Sequence, residues 1–328
     1  MDFSVSRRTL LKAGAAVAAA SAVPAYAQAK PTLRFAAVFS DKDIRAKMIE
    51  MLAKDVEGDF KIESHLNGSL FRQGTELVAL QRNNLEMGNI APQDVSNQIP
   101  AWSIVTSAYL FRDAKHLHAF FASAPGAEMT KMVEDQLKVK ILGPTFFGTR
   151  QVGLKPTKKI TTPADMAGIK LRMPGGDAWQ MLGRSLGANP VPVAYAEVYT
   201  ALQTGAIDGQ DNPLPNVQNM KFYEVMSQMV MTSHLIGFDL LTISSKAWGD
   251  MSPAQRQKFQ AAATKAIQWS ADEHQKQEAE LVEFLKKQGL QVNTPDIKAF
   301  REHAQKMYLA SDQAKTWPAG MLDKINAL

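Results

Sequence analysis

The chain has 328 residues, with 37 Lys and Arg against 32 Asp and Glu, and no cysteine. The missing thiols exclude disulfides, thiolate metal sites and thiol nucleophiles, so stability must come from packing. The excess of +5 is spread along the chain, without the basic stripe and stacking aromatics of a nucleic-acid surface.

Ser6-Arg7-Arg8-Thr9-Leu10-Leu11-Lys12 is a twin-arginine pattern, with Leu10 where Phe is often seen. A weakly apolar run from Ala13 to Val23 and a small-x-small cleavage site, Ala25-Tyr26-Ala27, follow it. Residues 1–27 therefore read as a signal peptide for export of a folded protein to a periplasm. Removing Arg7, Arg8, Lys12 and Asp2 leaves 34 basic against 31 acidic residues, or +3. The remaining ~300 residues exceed what one core usually holds and predict two lobes.

Leu33 to Phe39 reads as a strand, followed by a helical face from Ile44 to Val56 that Gly58 ends. Phe60-Lys61-Ile62 alternates as a strand, Asn67-Gly68 is a turn, Thr75 to Asn83 is helical, and Leu85 to Ile90 is a strand. This alternation predicts α/β lobes with largely parallel strands, which hold ligands at the carboxyl ends of strands. Ala114 to Lys138 keeps helical spacing, broken near Pro125-Gly126. A strand over 139–142 and a second apolar segment reaching Gly148-Thr149-Arg150-Gln151 come next.

Thr162-Pro163-Ala164-Asp165 gives an N-cap, a proline at the first helical position and an acidic third residue. Strand 169–173, helices 177–186 and 195–204 and strand 207–210 then repeat the alternation. Ser252-Pro253-Ala254-Gln255 is a capping box that opens a run free of glycine until Gly289. One helix of that length, ~50 Å, would brace both lobes; the alternative is two helices with a break near Asp272–His274.

No nucleophile-elbow, zinc-protease or phosphate-loop motif is present. His116 and His118 stand two apart on a helix, a poor metal pair, and read as solvated. Asp208, Asp211 and Asp239 are too sparse for a calcium site. What remains are polar groups at strand ends and helix starts. Arg172 precedes the strand-stopping Pro174, Arg150 follows Gly148, Asn212 precedes Pro213, and Tyr195 opens a helix. Two guanidiniums, an amide and an aromatic ring suit a small carboxylate with an organic body. For either arginine alone, the competing explanation is a solvated side chain or a structural ion pair.

Four stretches carry a family resemblance: Gly148-Thr149-Arg150, Pro163-x-Asp165-x-x-Gly168-x-Lys170-x-Arg172-x-Pro174, Pro192 through Gly205, and Ile207 through Pro213. With their order and spacing, the mature chain resembles the DctP-type substrate-binding proteins of tripartite ATP-independent periplasmic (TRAP) transporters. The resemblance implies a two-lobed periplasmic binding protein fold with hinge-connected α/β domains and a long helix bracing both. The implied lobes are 28–149 with 238–277, and 150–237 with 278–328.

By the same resemblance Arg172 forms the carboxylate salt bridge, Arg150 gives a second cationic contact, and Asn212 hydrogen-bonds the same group. Tyr195 lines the pocket. In the first lobe Gln93 lies where a sialic-acid-binding relative has a carboxylate, and Val38-Phe39 where it has an amide. These departures argue against sialic acid and leave the clamp intact. The expected function is capture of an organic acid without chemistry or cofactor, and its delivery by a monomer to TRAP permease subunits. A periplasmic lyase or hydrolase and a sensory binding protein are the alternatives.

Overall fold

The computed structural model describes residues 30–328; the expected signal peptide lies outside the described residues. β1 (Thr32–Ala36) leads to α1 (Ile44–Val56), where the carboxylate of N-cap Asp43 accepts from the Arg45 amide. β2 (Lys61–His65), α2 (Glu76–Gln81), β3 (Met87–Ile90) and α3 (Pro92–Ser96) follow. The expected break near Pro125 separates α4 (Ala114–Ala122) from α5 (Ala124–Leu137), with Ser123 capping the second helix.

The two segments expected up to Gln151 are one strand, β4 (Val139–Leu154). Beyond it lie β5 (Lys170–Met173), α6 (Asp177–Ser185), β6 (Asn189–Pro192), α7 (Val198–Thr204), β7 (Gly209–Pro213) and α8 (Leu214–Asn219). A second long strand, β8 (Gln228–Ser244), precedes α9 (Ser245–Gly249) and α10 (Pro253–Lys287). The chain ends with β9 (Gln291–Asn293), α11 (Ile297–Leu309) and α12 (Met321–Asn326).

The nine strands of the described residues belong to one sheet in the order β2-β1-β3-β8-β4-β7-β5-β6, with β9 beside β8. The expectation of largely parallel strands holds in its outer parts, where β1 pairs with β2 and β3, and β5 with β6 and β7, and for β9 against the start of β8. The centre is antiparallel, because β4 and β8 run the length of the sheet in opposite directions and join its two halves. Two apolar clusters cover each half, so each half is an α/β lobe. Phe35, Met48, Leu52 and Phe60, and Leu80, Trp102, Leu117 and Phe120, mark the first lobe. Leu171, Met173, Leu182 and Phe300, and Val198, Leu202, Ile207 and Phe222, mark the second.

Helix α10 is continuous over 35 residues and starts on the expected capping box of Ser252 and Gln255. Phe259, Ala263 and Ile267 pack in the first lobe, while Leu281 and Leu285 pack in the second, so the helix serves both. One end of the chain departs from the expected division. Met321 and Ile325 of α12 pack with Leu117 and Phe120 in the first lobe's core. His116, expected to be solvated, is buried and holds that helix. Its Nδ1 accepts from the Arg112 amide, so Nε2 donates to the carbonyl of Ile325 at 2.8 Å.

The strands crossing between the lobes touch at two glycines. Gly148 pairs with Gly237, next to a register shift in β4. A Cβ on Gly237 would lie 2.6 Å from the Gly148 carbonyl oxygen, and Gly148 has φ +113°. Only glycine permits both the approach and the conformation. The side chain of Glu278 from α10 caps this crossing by accepting from the Thr149 amide.

Candidate functional site

The carboxyl ends of β1, β3, β5 and β7 and the middle of β4 and β8 converge on one cavity between the lobes. Its lining includes Phe39, Arg45, Gln73, Asp94, Arg150 and Arg172. Tyr195, Asn212, Trp179, Glu76, Asn89 and Asp239 complete most of the wall. The open space is about 50 Å³, less than a ligand site ordinarily holds.

Arg172 is the last but one residue of β5, just before Pro174 turns the chain away. It is 1% exposed, and Nε donates to the Val193 carbonyl at 2.8 Å while Nη2 donates to Gln73 Oε1 at 3.1 Å. Its guanidinium lies 5.8 Å from the centre of the Tyr195 ring. Among the described residues no carboxylate is within ion-pair distance of it, and Nη1 has no hydrogen-bond partner. Burial lowers its pKa to about 10; the neighbouring charge of Arg150 adds to this and Asp211 opposes it. A buried cation normally sits beside an anion, since desolvating it alone is costly.

The other two buried arginines are already neutralised. Arg150 is gripped by Asp211, with Nε donating to Oδ2 at 2.6 Å and Nη2 to Oδ1 at 3.0 Å and to the backbone carbonyl at 2.7 Å. Its other face rests on Trp179, 4.9 Å from the ring centre. Burial alone would raise Asp211, yet Arg150 and His234 hold it well below the usual carboxylate range. Burial lowers the pKa of His234 despite that carboxylate, so the ring is neutral at pH 7. Its Nε2 then donates to Asp211, and Nδ1 accepts from the Thr232 hydroxyl at 2.8 Å.

Arg45, not among the residues expected from the sequence, lies between the rings of Phe39 and Phe147, at 4.4 and 4.1 Å. Asp43 takes Nε and Nη2, and Asp239 takes Nη1 at 2.7 Å. The available signal was Asp43-Ile44-Arg45 at a helix start beyond the carboxyl end of β1.

Five of the six candidate residues reach the cavity. Tyr195 is buried, its hydroxyl accepts from Asn216 at 3.0 Å, and burial pushes its pKa up to about 12. Asn212 donates to Gln210 Oε1 at 2.6 Å. Phe39 contributes its ring. Gln93 does not reach the cavity: the turn of α3 directs it into the first lobe, and the next residue, Asp94, takes its place. Asp208, Asp211 and Asp239 are held by the Lys170 amide, Arg150 and Arg45 respectively, and no metal-binding cluster occurs among the described residues.

Opposite Arg172 the first lobe presents carboxyls with no cation of their own. Burial pushes Glu76 up to about 7, and burial with the charges of Glu76 and Asp239 pushes Asp94 up to about 8. Burial also raises Glu278, to about 7. Acids with raised values hold more protons in the folded than in the unfolded chain between about pH 4 and 8, so stability falls as pH rises through that window. The mature protein is expected to melt several degrees lower at pH 8.5 than at pH 5.5, and Glu76→Gln with Asp94→Asn to flatten that slope. Differential scanning calorimetry across the range checks this.

Residues 35–314 match the model of the bacterial extracellular solute-binding protein family 7. The chain belongs to that family. Residues 4–24 match the twin-arginine translocation signal, so this family 7 receptor is exported by that pathway to the periplasm.

The receptor is similar to a TRAP periplasmic solute-binding protein from Roseobacter denitrificans solved with bound 3-deoxy-D-manno-oct-2-ulosonic acid. That match has 43% identity and a TM-score of 0.90, over 91% of this chain and 99% of the other. A Polaromonas TRAP protein bound to D-erythronate matches at 26% identity and a TM-score of 0.85, over 91% of this chain and 99% of the other. The sialic acid-binding periplasmic protein SiaP of Vibrio cholerae is 31% identical, over 93% of this chain and 95% of that protein. Relatives of this kind are solute receptors and not enzymes.

Proposed function

We propose that the receptor captures a sugar acid bearing one carboxylate and delivers it to a TRAP-type membrane permease. The observation that carries this is Arg172, a buried guanidinium without a carboxylate of its own. The ligand carboxylate supplies the missing anion, with Asn212 and Tyr195 beside it. Arg150, saturated on two nitrogens by Asp211, contributes field and one edge and not a second full ion pair.

The opposite wall selects the rest of the molecule. Glu76, Asp94 and Asn89 accept from or donate to hydroxyls, whereas a second ligand carboxylate placed there would be buried without a cation of its own, since Arg45 is already taken by Asp43 and Asp239. The acids bound by the Roseobacter and Polaromonas proteins support a polyhydroxylated monoacid over a dicarboxylate. A thermal-shift screen with 3-deoxy-D-manno-oct-2-ulosonate, D-erythronate, sialic acid, succinate and glycerol tests this. A sugar acid at 100 times its dissociation constant stabilises by about 2.7 kcal/mol, and succinate and glycerol are expected to give no shift. Equal shifts with succinate, or none with any sugar acid, would count against the proposal.

A further inference from the structure

Gln73 belongs to the first lobe, on the loop between β2 and α2, yet both hydrogen bonds of its side-chain oxygen come from the second. Oε1 accepts from Arg172 Nη2 at 3.1 Å and from the Tyr195 backbone amide at 2.8 Å. The side chain also stands at the mouth of the cleft. It lines the inner cavity with Arg172 and Asn216, and an outer groove with Leu70, Arg72 and Ala194. The exposed pair Arg72 and Glu197, 3.8 Å apart, spans the lobes at the same rim. Exposed pairs of this kind contribute little, so the half-buried Gln73 is the stronger tie.

Its chemistry fits that place. An amide oxygen satisfies a guanidinium N–H without neutralising it, so Arg172 keeps its whole charge for an incoming acid. A carboxylate at the same point would form a buried ion pair and compete with the ligand. An acid that takes Nη2 displaces Oε1 from one donor, while the Tyr195 amide still holds it.

We propose that Gln73 is a latch: a neutral acceptor that ties the first lobe to the clamp arginine and sets how readily the cleft opens. The latch rests on the reading of Arg172 as the clamp. Because the chain has no cysteine, Lys61→Cys and Gln203→Cys place one spin-label pair at exposed positions on the two lobes. Dipolar distances are then measured on the mature protein without added ligand. Gln73→Ala is expected to shift the equilibrium at least about fivefold toward the longer, open distance, a lower bound for losing one hydrogen bond from a charged guanidinium and one from a neutral amide. Gln73→Glu is expected to shift it at least about fivefold toward the shorter distance. No shift in either variant overturns the latch, as does a shift in only one or in the same direction in both. The clamp fails separately, if Arg172→Ala binds 3-deoxy-D-manno-oct-2-ulosonate as tightly as the parent.

Discussion

Arg172→Ala is expected to raise the dissociation constant for the sugar acid roughly 10²–10⁴-fold, while the protein stays folded. The magnitude follows from two charge-assisted hydrogen bonds at about 1.5–3 kcal/mol each in a site that excludes water. Arg172→Lys is expected to weaken binding too, since an ammonium cannot reproduce the fork or reach Val193 and Gln73 together with the ligand. Stability moves differently. The native guanidinium is desolvated, with only two neutral acceptors to offset that, so Arg172→Met should melt no lower than the parent. Titration calorimetry and thermal melts on the same variants check both halves. A variant that binds normally, or one that fails only because it unfolds, would contradict the assignment.

Asp211→Ala is expected to do the reverse, lowering the unfolding free energy by about 3–5 kcal/mol. It strands Arg150, which is 4% exposed and loses both side-chain partner oxygens, and it removes the acceptor of His234. Urea denaturation followed by tryptophan fluorescence measures the change. Replacing both members, as Arg150→Met with Asp211→Leu, should recover part of the loss, because no uncompensated charge is then left inside. The contrast separates two arginines that look alike as sequence: Arg150 is held in a buried ion pair with Asp211, and Arg172, bonded only to neutral acceptors, is the proposed clamp.

That distinction was not legible in the chain alone. Arg172-x-Pro174 announced a cation at the end of a strand, and the N-cap at Thr162 and the capping box at Ser252 announced helical turns, because these signals are local. Which carboxylate answers which arginine depends on pairs distant in sequence, 61 residues apart for Arg150 and Asp211 and 194 for Arg45 and Asp239. The antiparallel centre was missed for a related reason. β4 and β8 are long apolar strands whose residues alternate in no simple way, since bulges re-aim them at the crossing. The first lobe's contacts were the least accessible. Gln93 and Asp94 are neighbours on a one-turn helix, and one residue of rotation decides which faces the cavity.

The most direct measurement is a crystal structure of the mature receptor with a bound sugar acid, 3-deoxy-D-manno-oct-2-ulosonate first. The expected result is a carboxylate within hydrogen-bond distance of Arg172 Nη1 and Nη2, and Asp211 still on Arg150. The ligand hydroxyls should turn toward Glu76 and Asp94. A carboxylate seated instead on Arg45 or Arg150, with Arg172 still bonded only to Val193 and Gln73, would contradict the clamp.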